Sequence, residues 1–444
     1  SGLTLTFRLR DGLRWSDGHE LSSADVAFTV GILQSPEFRG DPFLAEAWTG
    51  VQVDTPDGRT VVLTLPDANS PFVARFATVG ILPRHVLDQS SGDAVSEGEF
   101  AVAPVGAGPY RLMELSSEEA RLVANPYFSG GVPNIVELRL RFFSDQAAAL
   151  EALAADEVDG FLTLSPPGPE TLAELTAAGG PREYSIQGSL AVVLYLNNDN
   201  YLLEEPDVRR AIALAINRDA LPWGPAPPGA TKSASPVAPG SWAYVSEFDA
   251  SGWIPETAGA LLEEEDWVIS GTSGVLTREG SEFRITIRTD DDPQHMALAA
   301  SIAAQLDEVG IRASVASTAA TVLVRDFLQD RKYDSAIVTW DQGADPDPYD
   351  AWHSSQLGSA GLNIANFADP VTDELIALGR THSQLAVRLD AYRQIQARWN
   401  EMTPSVILGY PRVSYLLDPD IAPSLPDILF TRAQRFAAIE DWRR

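Results

Sequence analysis

Residues 333–352 read YDSAIVTWDQGADPDPYDAW. An apolar run from Ser335 to Trp340 breaks off into a loop carrying Asp341, Asp345, Asp347 and Asp350, punctuated by Gly343, Pro346 and Pro348. β-branched and aromatic residues make the run a strand; Gly, Pro and Asp make the segment after it a loop. In open α/β sheets ligands bind beyond the carboxyl ends of strands, where loops converge. An aromatic ring with several carboxylates at such a place suits a polar, cationic ligand. The competing reading is an acidic surface loop with Trp340 plugging the core beneath it.

The chain around this stretch has 444 residues, more than one hydrophobic core fills. Its formal charge of −30 argues against nucleic acid or an anionic membrane as partner, since both require a basic face. With no Cys there is no disulfide framework, thiolate metal site or Cys nucleophile. No apolar run is long enough to span a bilayer, so no direct membrane insertion is expected. Ser1-Gly2 leads at once into a strand pattern, Leu3–Phe7, which suggests that an upstream segment has been removed.

Upstream, residues 4–10 read as a strand, Ser22 and Asp25 as a capping box opening a helix with Val26, Val30 and Leu33 inside, and 51–65 as a hairpin around Pro56-Asp57-Gly58. Residues 135–143, 145–155 and 158–164 form a strand–helix–strand pattern, expected to be a parallel β-α-β unit. Residues 190–197 make an apolar strand, and 207–217 a helix with Val208, Ile212 and Ile216 on one stripe. The Pro/Gly/Ala-rich segment 223–241 reads as a crossing between domains. Beyond it lies a second α/β series: strands at 283–288, 311–315 and 335–340, helices at 255–264, 295–309, 320–330 and 385–401, and a buried strand at 405–408.

No nucleophile elbow, phosphate loop or metalloprotease helix occurs. Asp341, Gly343, Asp345 and Asp347 fall at positions one, three, five and seven of an EF-hand-like count, but Pro346 and Trp352 stand where its Gly and Glu belong. Paired loop carboxylates with Trp340 as a sugar platform are a second possibility, a glycan-active enzyme. The histidines form no spaced cluster, and no cofactor or metal site is expected.

Several segments together resemble the extracytoplasmic solute-binding proteins of family 5, the peptide- and nickel-type receptors of ABC importers. FRLRDGLRWSDGHELSSADVAFT (7–29) looks like the family's LRxGxxxxDGxxLxxxDVxF signature. Gly106–Tyr110 and Ala124–Gly131 resemble its GTGPY and RNPxYWGG pair; Leu196-Asn197-Asn198 with Asp207–Ile212 resembles its VRxAI segment; the 340–349 loop resembles its W…DPDPY segment. The matches run over the whole chain in order.

The resemblance implies an α/β, two-lobe periplasmic-binding-protein-like fold of type II, in the large cluster C form, with an extra α+β subdomain on lobe one. Residues 1–106 would be the extra subdomain, 107–238 with 412–444 lobe one, and 239–411 lobe two. It implies a monomeric receptor, not an enzyme. An oligopeptide or similar polar solute would be captured in the interlobe cleft and delivered to ABC permease subunits. A nickel-chelate or oligosaccharide receptor, and a sensory module, are alternatives on the same fold. The receptor would work outside the cytoplasm, in the periplasm or at the cell surface, held there by a lipid if the upstream segment carries one. Trp340 would wall the site, and Asp341, with Asp345 second to it, would anchor a positive group. Tyr195 and Asn197 would face them across the cleft, while Asp347 would hold the turn. In peptide-binding relatives an Asp three residues after the loop's Trp pairs with the ligand's α-amino group. Here Gly343 occupies that place.

Overall fold

The computed structural model describes residues 2–87, 98–163, 168–177, 179–223, 229–249 and 252–444. Leu164 of the expected third strand and residues 224–228 of the expected crossing lie outside them. The amino-terminal region is built on β1 (Thr4–Arg8), β2 (Gln52–Asp57) and β3 (Thr60–Thr64), antiparallel in the order β1–β3–β2. Alternation puts Val61, Leu63 and Leu65 on one face, where they bury against Val30, Leu33, Trp48 and Phe72. Helix Ser23–Leu33 opens where Asp25 accepts the Ser22 N–H at 2.8 Å. Val26 is only half-buried on that helix.

β4 (Tyr110–Leu115), β5 (Glu119–Ala124) and β6 (Glu137–Arg141) form a separate antiparallel sheet. Helix Gln146–Ala154 then leads to β7 (Gly160–Thr163). β6 and β7 belong to different sheets, and β7 is antiparallel to its own partner. This corrects the parallel β-α-β unit expected there. Periodicity reports the two faces of a strand but not the neighbour it hydrogen-bonds.

β8 (Arg182–Gly188), β9 (Leu190–Leu196) and β10 (Ala230–Thr231) come next, followed by a small sheet of β11 (Val268–Ile269), β12 (Leu276–Arg278) and β13 (Ser281–Glu282). The principal sheet also takes β14 (Arg284–Thr289), β15 (Arg312–Ser317), β16 (Ser335–Asp341), β17 (Ser405–Leu417) and β18 (Ile428–Leu429). Its order is β15–β14–β16–β9–β17–β8–β18, with β7 and β10 also on β17. β14 and β15 are parallel and joined by helix Pro293–Glu308, a true β-α-β unit. The helix expected at 320–330 is instead one short turn, Ala320–Val322, running into a π-helical stretch, Leu323–Leu328.

β17 belongs to both lobes. Its first part, to Gly409, pairs with β9, and from Arg412 onward it pairs with β8. β8 passes into β9 through Ser189 alone. The two crossings touch: a side chain at Gly188 would lie 2.6 Å from the Pro411 carbonyl oxygen, so only glycine fits. This corrects the lobe boundary expected at 238/239. Val192, Leu194 and Leu196 of β9, with Val208 and Ile212 of helix Pro206–Ala215, pack against Ile285, Ile287 and Ile302 in the second lobe's core. The first lobe therefore gives way to the second at Gly188–Leu190. An all-apolar strand must be covered on both faces: Val192, Leu194 and Leu196 of β9 pack into one core with Ile212 and Ile302, and Ala191, Val193 and Tyr195 into another with Trp352 and Tyr392, while β16 and β17 pair its two edges.

Candidate functional site

β16 delivers Trp340 and Asp341 to the loop beyond it. Trp340 is half-buried, its ring edge-on to Trp352 with centroids 5.6 Å apart. Trp352 is fully buried and also meets Trp399 edge-on at 4.6 Å. The tryptophan beneath the strand end is thus Trp352, which leaves Trp340 partly available to a ligand.

The four loop aspartates have different fates. Asp341 is exposed; one of its oxygens accepts the Gly343 N–H at 2.9 Å, and among the described residues it has no cationic partner. Asp345 is 3% exposed, and both its oxygens lie 2.7 Å from Arg388 Nη2. Tyr392 also donates to Asp345, at 3.2 Å. Burial disfavours the Arg388 charge, but Asp345 more than offsets that and raises the guanidinium's pKa. Asp347, also buried, accepts from Arg380 at 2.6 Å, with Arg75 at 3.7 Å. Burial raises its carboxyl above the ordinary range, and Arg380 and Arg75 oppose that rise. Asp350 is half-buried, with Arg75 Nη2 at 3.4 Å.

Arg75 comes from the amino-terminal region, so these contacts join it to the second lobe. Ser70 strengthens the junction, its N–H donating to the Arg380 carbonyl at 2.8 Å and its hydroxyl to that of His382 at 2.7 Å. Gly343 takes φ +63, and a Cβ there would stand 3.9 Å from Arg75 Nε. The buried Gln342 amide ties the loop to the segment after β10 and to β17, donating to the Pro236 carbonyl and to Tyr410 Oη at 3.0 and 2.9 Å and accepting from the Ala238 N–H at 3.0 Å.

Tyr195 and Asn197 do not lie across a cleft from this loop, which corrects their expected placement. β9 runs antiparallel to β16, with Ala191 opposite Trp340 and Tyr195 opposite Ala336. Tyr195 therefore sits four residues back along the ladder, about 13 Å from Trp340 along the strand. It lies on the same face as Trp340 and stacks on Trp352 at 5.3 Å, with its hydroxyl pKa raised by burial. Asn197 holds chain turns together, donating to the Arg331 and Tyr333 carbonyls at 3.1 and 2.9 Å. Asp345, held by Arg388, is likewise not placed to anchor a ligand's positive group.

Other conspicuous motif residues also serve as scaffold. Arg209 is buried and donates to the carbonyls of Leu203, Glu204, Met402 and Thr403 at 2.7–2.9 Å, closing the end of helix Leu385–Met402. Asn198 bridges the carbonyls of Leu196, Ala365 and Pro404. Sequence reasoning missed Arg75, Arg380, Arg388 and Gln342. The available signal was the Asp-Pro-Asp-Pro turn itself, since carboxylates in a buried turn need cationic partners.

Trp340 and Asp341 thus form a partly open surface beside Gly343 and Arg75, while Asp345 and Asp347 are sealed in ion pairs. Such a surface can hold a polar ligand. The sealed carboxylates make a poor general acid–base pair.

A sequence profile described as bacterial extracellular solute-binding proteins, family 5 Middle, matches residues 1–361. The oligopeptide-binding protein AppA of Bacillus subtilis is 25% identical over 420 residues, covering 92% of this chain and 76% of that one. Among solved structures, the ABC transporter substrate-binding protein CtaP of Listeria monocytogenes superposes with TM-score 0.84 at 20% identity, covering 100% of this chain and 88% of that one. NikZ of Campylobacter jejuni, solved in complex with Ni(L-His), superposes with TM-score 0.76 at 22% identity and the same coverage.

Proposed function

This chain belongs to the bacterial extracellular solute-binding proteins of family 5, and on that basis we propose that it is the receptor of an ABC importer. It captures an oligopeptide or similar polar solute between its lobes and presents it to the permease. The observation that carries this reading is β17, one strand shared by the sheets of both lobes. Two lobes joined by short strand crossings can close on a ligand that touches both, and closure is then a population shift set by differential affinity.

Trp340 supplies the aromatic wall and Asp341 the free carboxylate. An amine–carboxylate contact of this kind contributes about 1.5–3 kcal/mol. Gly343 offers no side chain to an α-amino group, so cargo recognition leans on Asp341. The receptor performs no chemistry of its own: Asp345 and Asp347 are committed to Arg388 and Arg380. It works outside the cytoplasmic membrane; among the described residues no helix is long and apolar enough to cross one.

The test is native mass spectrometry of the protein purified without added ligand, followed by calorimetry with the cargo so identified. A peptide that binds wild type and is weakened by Asp341→Asn supports the reading. A bound metal chelate or sugar would replace the peptide assignment. Turnover of a chromogenic glycoside, lost in Asp341→Asn, would overturn the receptor reading itself.

A further inference from the structure

Asp17, His19 and His85 converge in the amino-terminal region, their ligating atoms all within 4.8 Å of one another. We propose that they form a binding site for one divalent transition-metal ion of the zinc class, separate from the cargo loop. His85 Nε2 lies 2.6 Å from Asp17 Oδ2, and His19 Nδ1 lies 3.3 Å from the same oxygen. The two imidazoles stack with centroids 4.1 Å apart and planes 24° apart.

A structural Asp–His hydrogen bond needs only one imidazole. Here a second ring, carried on the same turn as Asp17, points a nitrogen toward the same carboxylate oxygen. Ligands at about 2.0–2.2 Å from a tetrahedral metal stand roughly 3.3–3.5 Å from each other. The His19–Asp17 separation already matches. The His85–Asp17 separation is that of a hydrogen bond, and a side-chain adjustment of under about an ångström would open it as the ion replaces the shared proton. Each ring then carries its remaining proton on its other nitrogen.

The carboxylate is aimed in advance. Asp17 Oδ1 accepts the His19 N–H at 3.0 Å, which leaves Oδ2 toward the rings. Arg14 closes the same turn by donating to the Gly18 carbonyl at 2.7 Å. His85 is placed by the short helix Arg84–Leu87, whose first N–H donates to Asp25 Oδ1 at 2.9 Å. Two imidazoles and one carboxylate select zinc, nickel or cobalt over calcium and magnesium, which prefer all-oxygen shells. The His19 side chain is 63% exposed, so an ion can enter, and a fourth position remains for water or another small donor.

The test is calorimetric titration of the tag-free chain with Zn2+ in competition with a chelator of known affinity. One equivalent should bind, and His19→Ala and Asp17→Asn should each weaken it at least tenfold. His295→Ala, which removes the imidazole of another His–Asp pair, should leave it unchanged. If His85→Gln does not fold, His19→Ala decides, since that exposed side chain can be removed without disturbing the core. Equal affinity in wild type and His19→Ala, no saturable equivalent, or Ca2+ binding as tight as Zn2+ overturns the proposal. The titration uses no cargo, so its failure leaves the receptor reading untouched.

Discussion

Arg388 Nη2 stands 2.7 Å from each carboxylate oxygen of Asp345, and both side chains are buried in the second lobe. Removing one member leaves an uncompensated charge in a dry interior, which costs about 3–5 kcal/mol. Asp345→Asn is therefore expected to lower the urea midpoint with little change in slope, while cargo affinity of the folded protein is kept. Unchanged stability together with lost cargo binding would make Asp345 a ligand anchor instead.

Trp340 rests edge-on against Trp352, with part of its surface free. Trp340→Ala should weaken cargo binding about tenfold, near the upper end of the roughly 0.5–1.5 kcal/mol that an aromatic contact contributes beyond its buried area. Cooperative unfolding should survive, because Trp352 still fills the core below. Calorimetry with the identified cargo measures this; equal affinity would remove the loop from the site.

Gly343 has φ +63, and Arg75 lies beside it. Gly343→Ala should cost about 1–2 kcal/mol of stability, because Cβ crowds the following carbonyl in the left-handed region. Gly343→Asp should not gain affinity for a cargo with a free α-amine, since the new carboxylate would pair with Arg75. The double variant Gly343→Asp with Arg75→Ala frees that carboxylate, and amine-dependent affinity should then rise. A rise in the single variant would show that Arg75 does not control the position.

Asp369 caps helix Pro370–Thr381, accepting from the Thr372 N–H at 3.0 Å, and takes Arg398 in a two-pronged bond at 2.8 and 2.9 Å. The Arg398 hydrogen bonds foremost, with those from Thr372, hold its carboxyl down at about 2 against an ordinary 3.8. A carboxyl depressed in the folded state stabilises fully above its unfolded pKa, and that stabilisation is lost as pH falls through the folded one. Thermal stability should therefore drop between about pH 4 and pH 2, and Asp369→Asn should flatten that part of the profile. A variant with the wild-type acid slope would assign the loss to other carboxylates.

The Asp-rich loop shows how far residue patterns reach. The alternation of Ser335–Trp340 and the turn residues after it specify a strand and a loop, because both depend on local chemistry. The order of matching segments, from the Leu9–Phe28 signature to the 340–349 loop, likewise specifies the family. Which aspartate stays free is not local. Asp345 and Asp347 find Arg388 and Arg380 on helices that begin at Leu385 and Pro370, and Arg75 arrives from nearly three hundred residues upstream.

Strand partners were equally out of reach. Residues 190–196 announce a strand buried on both faces, yet nothing in them states that β16 lies antiparallel on one side and β17 on the other. That register moved Tyr195 and Asn197 from an expected cleft wall into the second lobe's interior, and it moved the lobe boundary to Gly188–Leu190. Most element types, the family and the Asp-rich loop after β16 were legible in the residues alone, because periodicity and turn chemistry act over a few positions. Which charges are paired and which strands adjoin came only with the folded chain, because ion pairing in a low-dielectric interior and sheet register both depend on groups far apart in sequence.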